Sequence, residues 1–354
     1  MKLTVTGENP AERLILAQGL APITIADTHI AFMRARAIMV GVKLGIFEAL
    51  VEGPASLQGV ASRCGTSAAG TQKLLNALVG SGYLRFRSGK YALAPVARKW
   101  LTRDSPTSLR DKVLFEFFEW KLAEHFENFV RTGQPLDIHS STSEEDWQMY
   151  QRAMRSLSGL TAQEIVRSTP MPKGATAMLD IGGSHGYISV SMCRKYPKLR
   201  PVILDLPSAV KQAAPILAKE GMGDRVTHRA GDALKDDLGN SKWDLIYASQ
   251  LLHHFDEASN RTFAQRVARA LKPGGVFAIV EMIRPSSPRE AGQVGALLDL
   301  YFALTSHSGT WSIEEISEWQ RDAGLAPQKA IRLRTMPGAA ELIAVKPQEK
   351  RQPA

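Results

Sequence analysis

The sequence predicts an α/β chain: a doubly wound, mainly parallel sheet with an antiparallel edge hairpin, preceded by a mainly helical domain. Three observations carry that prediction. From about residue 175 short apolar runs alternate with helix-compatible stretches, which implies parallel strands joined by helices. One run, MLDIGGSHGYISV at 178–190, ends in an aspartate and breaks into three glycines before helix-compatible sequence resumes. That is how a strand passes through a tight turn into a helix beside a ligand. Within the first hundred or so residues the order is helix, helix, helix, hairpin, which is the order of a winged helix.

In chain order, RARAIMVGVKLGIFEALVEG has apolar residues at helical spacing and predicts one helix stopping at Gly53-Pro54. SLQGVASRCG predicts a short helix closed by Gly65, and SAAGTQKLLNALVGSGYL another with Ser67 as N-cap. RFRSGKYALAP alternates around Ser-Gly and predicts a β-hairpin. Residues 107–165 read as helical, with an aromatic cluster in LFEFFEWKLAEHFENFV and a polar loop over 131–146. The strands then predicted are TAMLDI, RPVILDL, VTHRAGD, WDLIYAS and VFAIVEM. A last pair in KAIRLRTMPGAAELIAVKP turns at Met-Pro-Gly, so it forms the edge hairpin. The expected division is a winged-helix domain over 1–106, helices linking it and lining a pocket over 107–170, and the sheet domain over 171–354.

Length and composition fit this plan. A chain of 354 residues is comfortable for two domains, and 44% apolar content supports a full core. Cys64 and Cys193 lie far apart without metal-type spacing, which argues against a disulfide framework or a zinc site and for a reducing cytoplasm. No apolar run reaches membrane-spanning length, and the N-terminus lacks a signal-peptide pattern, so a cytoplasmic protein without a membrane partner is expected. The net charge is +9, and residues 1–104 carry 13 Lys+Arg against 6 Asp+Glu, a balance of 13 − 6 = +7. A basic first third admits nucleic acid as a partner or a solvated surface; the motifs decide.

In open parallel sheets, ligands bind beyond the carboxyl ends of the strands, where the strand order reverses. Those ends carry Asp180 with its glycine turn (Gly182, Gly183, Gly186), Asp205, Asp232, His253 and Glu281. A carboxylate just before the turn would repel a pyrophosphate, but it suits a ligand carrying an ammonium and a sulfonium, such as S-adenosylmethionine. Asp205 stands at the distance beyond the turn where such folds bind ribose hydroxyls. Asp232, in AGDAL, is placed to accept from an adenine amino group. Any one of these acids alone would more often be a helix N-cap; three in series with the turn point to the cofactor.

LDIGGSHG, LDLPSAV, GDAL, LLHHFDE and RALKPGGVFAIVE resemble the ordered motifs of class I S-adenosylmethionine-dependent methyltransferases. With the winged helix and the VRTG and YQRAM helices before it, the chain resembles small-molecule O-methyltransferases of the caffeate and hydroxyindole type. The resemblance covers residues from about 25 to 346. It implies a Rossmann-like fold, a homodimer, S-adenosylmethionine as cofactor with S-adenosylhomocysteine as product, and a small, aromatic hydroxyl acceptor. It places Asp180, Gly182, Gly183, Gly186, Asp205, Leu206, Asp232 and Ala233 at the cofactor. His253 falls on the family's general base and Glu281 on the carboxylate that orients it. Met154, Leu298, Tyr301 and Phe302 are candidate acceptor-lining residues, although such a stripe is more often core. Three departures stand out. Ser184 replaces a glycine of the turn, and His254 follows the base where the family has aspartate. The loop TSHSGTWS also offers no acid where the family has a second glutamate.

Methyl transfer needs the acceptor held in line and, for a phenol with a pKa near ~10, a base to take its proton. His253 fills that role; for His254 the reading is structural, because only one of two adjacent side chains points into a cleft. Three competing readings remain, one of them a fold relative that binds the cofactor without methylating, which the partial match of the base residues leaves open. A winged-helix ligand-sensing DNA-binding regulator is disfavoured by the helix TQKLLNALVGSGYL, largely apolar with one lysine, which lacks a base-reading face. Metal-assisted carbon methylation of a keto acid would use His253 and His307 with Asp256 or Glu281.

Overall fold

The computed structural model describes residues 3–136, 138 and 143–348. The chain divides into two compact units, Lys2–Glu119 and, beyond it, Trp120–Ala354.

In the first unit, α1 (Pro10–Ala17) precedes α2 (Ala31–Lys43), α3 (Leu57–Cys64) and α4 (Ala68–Gly80), followed by β1 (Leu84–Arg87) and β2 (Lys90–Leu93). The predicted helix reaching Gly53 instead ends at Lys43. Gly45 takes a φ of 76°, the Ile46 N–H bonds back to Gly41 O at 2.9 Å, and the Gly45 N–H bonds to Val42 O at 3.2 Å. That double closure with a left-handed glycine is a Schellman stop, which outweighs the continuing apolar periodicity. Ser56 and Ser67 cap α3 and α4 by accepting from Gly59 and Gly70 N–H groups, and Gly65 closes α3 with a φ of 63°. Ser88 and Gly89 both have positive φ, the requirement of a tight hairpin turn, and β1 and β2 pair antiparallel. Val42, Phe47, Leu50, Val60, Leu75, Leu78 and Tyr91 close a core among these elements. After α5 (Pro95–Trp100), α6 (Arg110–Ala123) carries the chain across the boundary between the units.

The second unit adds α7 (Phe126–Thr132) and α8 (Glu144–Ser168), the latter capped by Ser143. Of the loop predicted over 131–146, residues 137 and 139–142 lie outside the described residues. Then come β3 (Ala177–Ile181), α9 (Tyr187–Lys195), β4 (Arg200–Asp205), α10 (Pro207–Ala218), β5 (Thr227–Ala230) and β6 (Trp243–Ser249). The unit finishes with α11 (Glu257–Ala270), β7 (Leu271–Met282), α12 (Pro288–Thr305), α13 (Ile313–Asp322), β8 (Ala326–Pro327), β9 (Ile331–Arg332) and β10 (Ala339–Val345). The sheet order is β5-β4-β3-β6-β7-β10-β8, with β9 also on β10. The five strands from β3 to β7 are parallel and β10 runs antiparallel to β7, β8 and β9. This is the predicted doubly wound, Rossmann-like sheet with its antiparallel edge. The edge differs in detail: β8 and β9 have two residues each, and β7 takes in the LKPGG turn that the sequence places before it.

Alternation along the strands feeds two cores. Leu179, Ile181, Ile246, Ala248, Phe277 and Ile279 pack with Phe263, Val267, Ile316 and Trp319 of α11 and α13. Their neighbours Met178, Ile203, Leu245, Tyr247, Ala278 and Val280 pack with Ala162, Ile165, Val190 and Met192 of α8 and α9. Strand order reverses between β3 and β6, so their carboxyl ends frame the crevice where such sheets bind ligands.

Candidate active site

The first strand end is a turn built over a buried acid. Asp180 is 1% exposed; its Oδ2 accepts from the Ser189 hydroxyl at 2.6 Å and its Oδ1 has no hydrogen-bond partner. A Cβ at position 183 would run into this carboxylate, so only glycine lets the backbone lie across it. Gly186 enters α9 with a φ of 73°, where a Cβ would strike Ile203. Burial pushes the Asp180 carboxyl up to about 7; the Ser189 hydroxyl opposes that shift and the Asp205 charge adds to it. Asp180, which the sequence places at the cofactor, lies buried directly beneath the turn.

Asp205 ends β4 facing the turn, accepting from the Ser184 N–H at 2.9 Å and the Leu206 N–H at 2.8 Å. Burial raises its carboxyl above the ordinary range although both N–H groups pull it down. Leu206 beside it is 48% exposed, a large apolar side chain open at a strand end. Asp232 lies after β5, accepting from the Leu234 N–H at 2.9 Å and pairing with Lys235 at 3.2 Å, with Ala233 half-buried next to it.

Across the switch point, β6 leads into a short turn, Leu252–His254. Glu281, at the end of β7, holds that turn: its Oε1 accepts from the Leu251 and Leu252 N–H groups at 2.5 and 2.7 Å. Its Oε2 stands 3.0 Å from Nδ1 of His253. A carboxylate can only accept, so Nδ1 carries the hydrogen and Nε2 of the neutral ring is left with its lone pair. The Asn260 side chain and the Trp311 indole both donate to Leu252 O, at 3.0 Å each, fixing the same turn from α11 and from the loop before α13. His253 and Glu281 are both buried.

A model of the O-methyltransferase domain matches residues 116–326, and one of the O-methyltransferase dimerisation domain matches 27–103. The chain belongs to this O-methyltransferase family. It is an S-adenosylmethionine-dependent methyltransferase, the class its sequence resembles. It is 27% identical over 340 residues to a 3-hydroxy-5-methyl-1-naphthoate 3-O-methyltransferase of Streptomyces sahachiroi, covering 91% of this chain and 94% of that one. It is 24% identical over 343 residues to the N,N-dimethyltransferase OxyT of Streptomyces rimosus, covering 93% and 98%. Among solved structures, human N-acetylserotonin methyltransferase in complex with S-adenosylmethionine shares the fold, with a TM-score of 0.81 at 21% identity over 98% of this chain and 100% of that one.

The turn fits this O-methyltransferase family's cofactor on its own chemistry. A buried, unpartnered carboxylate oxygen under a side-chain-free backbone suits a cationic ligand above it. The candidate acceptor residues fall in two places. The Phe302 ring is 4.8 Å from that of His253, Tyr301 stands edge-on to Phe302 at 5.6 Å, and Leu298 lies one turn earlier on α12. Met154 is on α8, half-buried. His254 packs its ring 4.2 Å from His253, and His307 is exposed. Among the described residues no three His, Cys, Asp or Glu side chains gather so as to hold a metal ion. Nor is any helix there long and apolar enough to cross a membrane.

Sequence reasoning missed the polar group behind the turn. Ser184 has a φ of 51°, a left-handed conformation that costs a side-chain-bearing residue about 1–2 kcal/mol. Its hydroxyl donates to Gln151 Oε1 of α8, and its carbonyl accepts from His228 Nε2 at 2.8 Å. His185, next along, accepts from the Tyr187 N–H at 3.1 Å and meets the Ser158 hydroxyl at 3.2 Å. Burial, with the charges of Arg155 and His228, lowers its pKa to about 3, so it stays neutral.

Proposed function

We propose that the enzyme methylates a hydroxyl of a small, aromatic molecule, with Nε2 of His253 as the general base. The observation that carries this is the 3.0 Å contact between Nδ1 of His253 and Glu281, whose other oxygen is pinned by two backbone N–H groups. The imidazole is thereby fixed in one tautomer with its basic nitrogen free, the arrangement a proton acceptor needs. S-adenosylmethionine supplies, when bound, a methyl group on a sulfonium whose leaving thioether is neutral. The chain's part is to hold the two reactants and to move one proton. Asp205 would bind the ribose hydroxyls, while Leu206, Asp232 and Ala233 would frame the adenine. Gly182, Gly183 and Gly186 keep the backbone low enough for close approach. The acceptor would lie against Phe302, Leu298, Tyr301 and Met154, its hydroxyl donating to Nε2. As the proton arrives there, Glu281 balances the charge gained by the ring. Replacing His253 by Gln should lower turnover by about 10²–10⁴-fold and leave cofactor affinity nearly unchanged. An undiminished rate in that variant would remove the base.

The same reading makes the protein a homodimer through its N-terminal unit. Leu14, Leu20, Ile25, Ile30 and Met33 are all more than half exposed in the single chain. So many large apolar side chains close in sequence are rare on a monomer's surface and suit an obligate interface.

A further inference from the structure

Ser184 stands where the turn would be expected to carry glycine, in a left-handed conformation that glycine adopts freely and serine does not. Each of its polar groups is tied to a different element. The N–H donates to Asp205 Oδ2 at 2.9 Å, at the end of β4; the carbonyl accepts from His228 on β5; the hydroxyl donates to Gln151 on α8. Gln151 is 2% exposed, so its amide oxygen has been taken out of water to meet this one hydroxyl. The same helix presents Ser158 to His185, so α8 grips two consecutive residues of the turn.

We propose that Gln151 is a positioning residue for S-adenosylmethionine: through the Ser184 hydroxyl it holds the turn in the left-handed shape that glycine would take unaided. This rests on the reading that the turn and Asp205 hold the cofactor. The chain of effect is short. If residue 184 relaxes toward negative φ, its peptide rotates and its N–H leaves Asp205. The carboxylate that would receive the ribose then loses one of the two N–H groups aiming it. The tether supplies in this chain what a missing side chain supplies in a glycine turn, and a helix outside the sheet thereby controls the cofactor's seat.

Calorimetric titration of the full-length apoprotein with S-adenosylhomocysteine tests this, with unfolding temperatures measured alongside. Gln151→Leu should weaken binding about tenfold, the loss of roughly one hydrogen bond's worth of organisation. Adding Ser184→Gly to that variant should restore most of the affinity, because glycine holds the turn without a tether. Asp205→Ala serves as the reference and should weaken binding strongly. Normal binding by Gln151→Leu beside a weakened Asp205→Ala overturns the positioning role alone. Normal binding by Asp205→Ala overturns the site itself, and the proposal with it. A weakened Gln151→Leu with a lowered unfolding temperature that Ser184→Gly does not rescue would show Gln151 to be packing only, and would equally overturn the proposal.

Discussion

Glu281→Gln tests the base most informatively, because the substitution keeps size and position and changes only charge and one donor. Its amide oxygen can still accept from the Leu251 and Leu252 N–H groups, so the turn should stay folded. The amide nitrogen then faces Nδ1 of His253 across the present 3.0 Å contact and can only donate. The ring must reverse its tautomer, placing hydrogen on Nε2 and removing the lone pair the acceptor proton needs. The charge effect adds to this. With the imidazolium and carboxylate charges about 4 Å apart and an effective dielectric near 20, their attraction is about 4 kcal/mol. Loss of most of it corresponds to roughly 10³-fold in rate. Methyl transfer to a panel of phenols, followed in single turnover, should therefore fall by about 10³-fold, within the range of general-base contributions. S-adenosylhomocysteine affinity and the circular dichroism spectrum should be unchanged. A loss of less than about fivefold in a well-folded variant would refute the reasoning, since neither tautomer nor charge would then matter.

Asp205→Ala should weaken S-adenosylhomocysteine binding by about 1.5–3 kcal/mol in calorimetry, as for hydrogen bonds to a charged group; intact affinity would take Asp205 out of the site. Asp180 holds its proton up to about 7 in the folded chain, while the unfolded chain releases it near ~4, so folding stability should fall as pH rises across that window and level off above it. Asp180→Asn should flatten that slope, adding up to about 4 kcal/mol to apoprotein stability above about pH 7, and thermal melts with an unchanged slope would contradict the burial argument. Removing residues 1–104 should leave a poorly soluble fragment; a soluble, monomeric and fully active one in sedimentation would refute the obligate dimer.

The sheet and the ends of its strands were legible because two rules act locally. Alternating apolar runs mark strands, and ligands bind beyond the ends of such strands, so Asp180, Asp205, His253 and Glu281 could be placed at those ends as candidates from MLDIGG, LDLPSAV, LLHHF and AIVE. Their relations were less legible. The sequence puts Asp180 at the cofactor; only the three-dimensional turn shows it roofed by Gly183. The stop at Gly45 was hidden because Ile46, Phe47 and Leu50 continue the helical apolar spacing into the core from a different backbone conformation. Gln151 gave no signal at all. A glutamine in YQRAM reads as a solvated helix face, and its partner lies 33 residues on, reached only after α8 packs against α9. The two-residue edge strands are too short for any period to register.

The general-base mechanism requires the acceptor's hydroxyl to sit against His253. A crystal structure with S-adenosylhomocysteine and a turned-over phenol should show the acceptor oxygen within about 3.2 Å of His253 Nε2, with Nδ1 still on Glu281 and the ribose on Asp205. An acceptor oxygen seated away from His253, with a different side chain or a metal ion against it, would contradict the general-base mechanism.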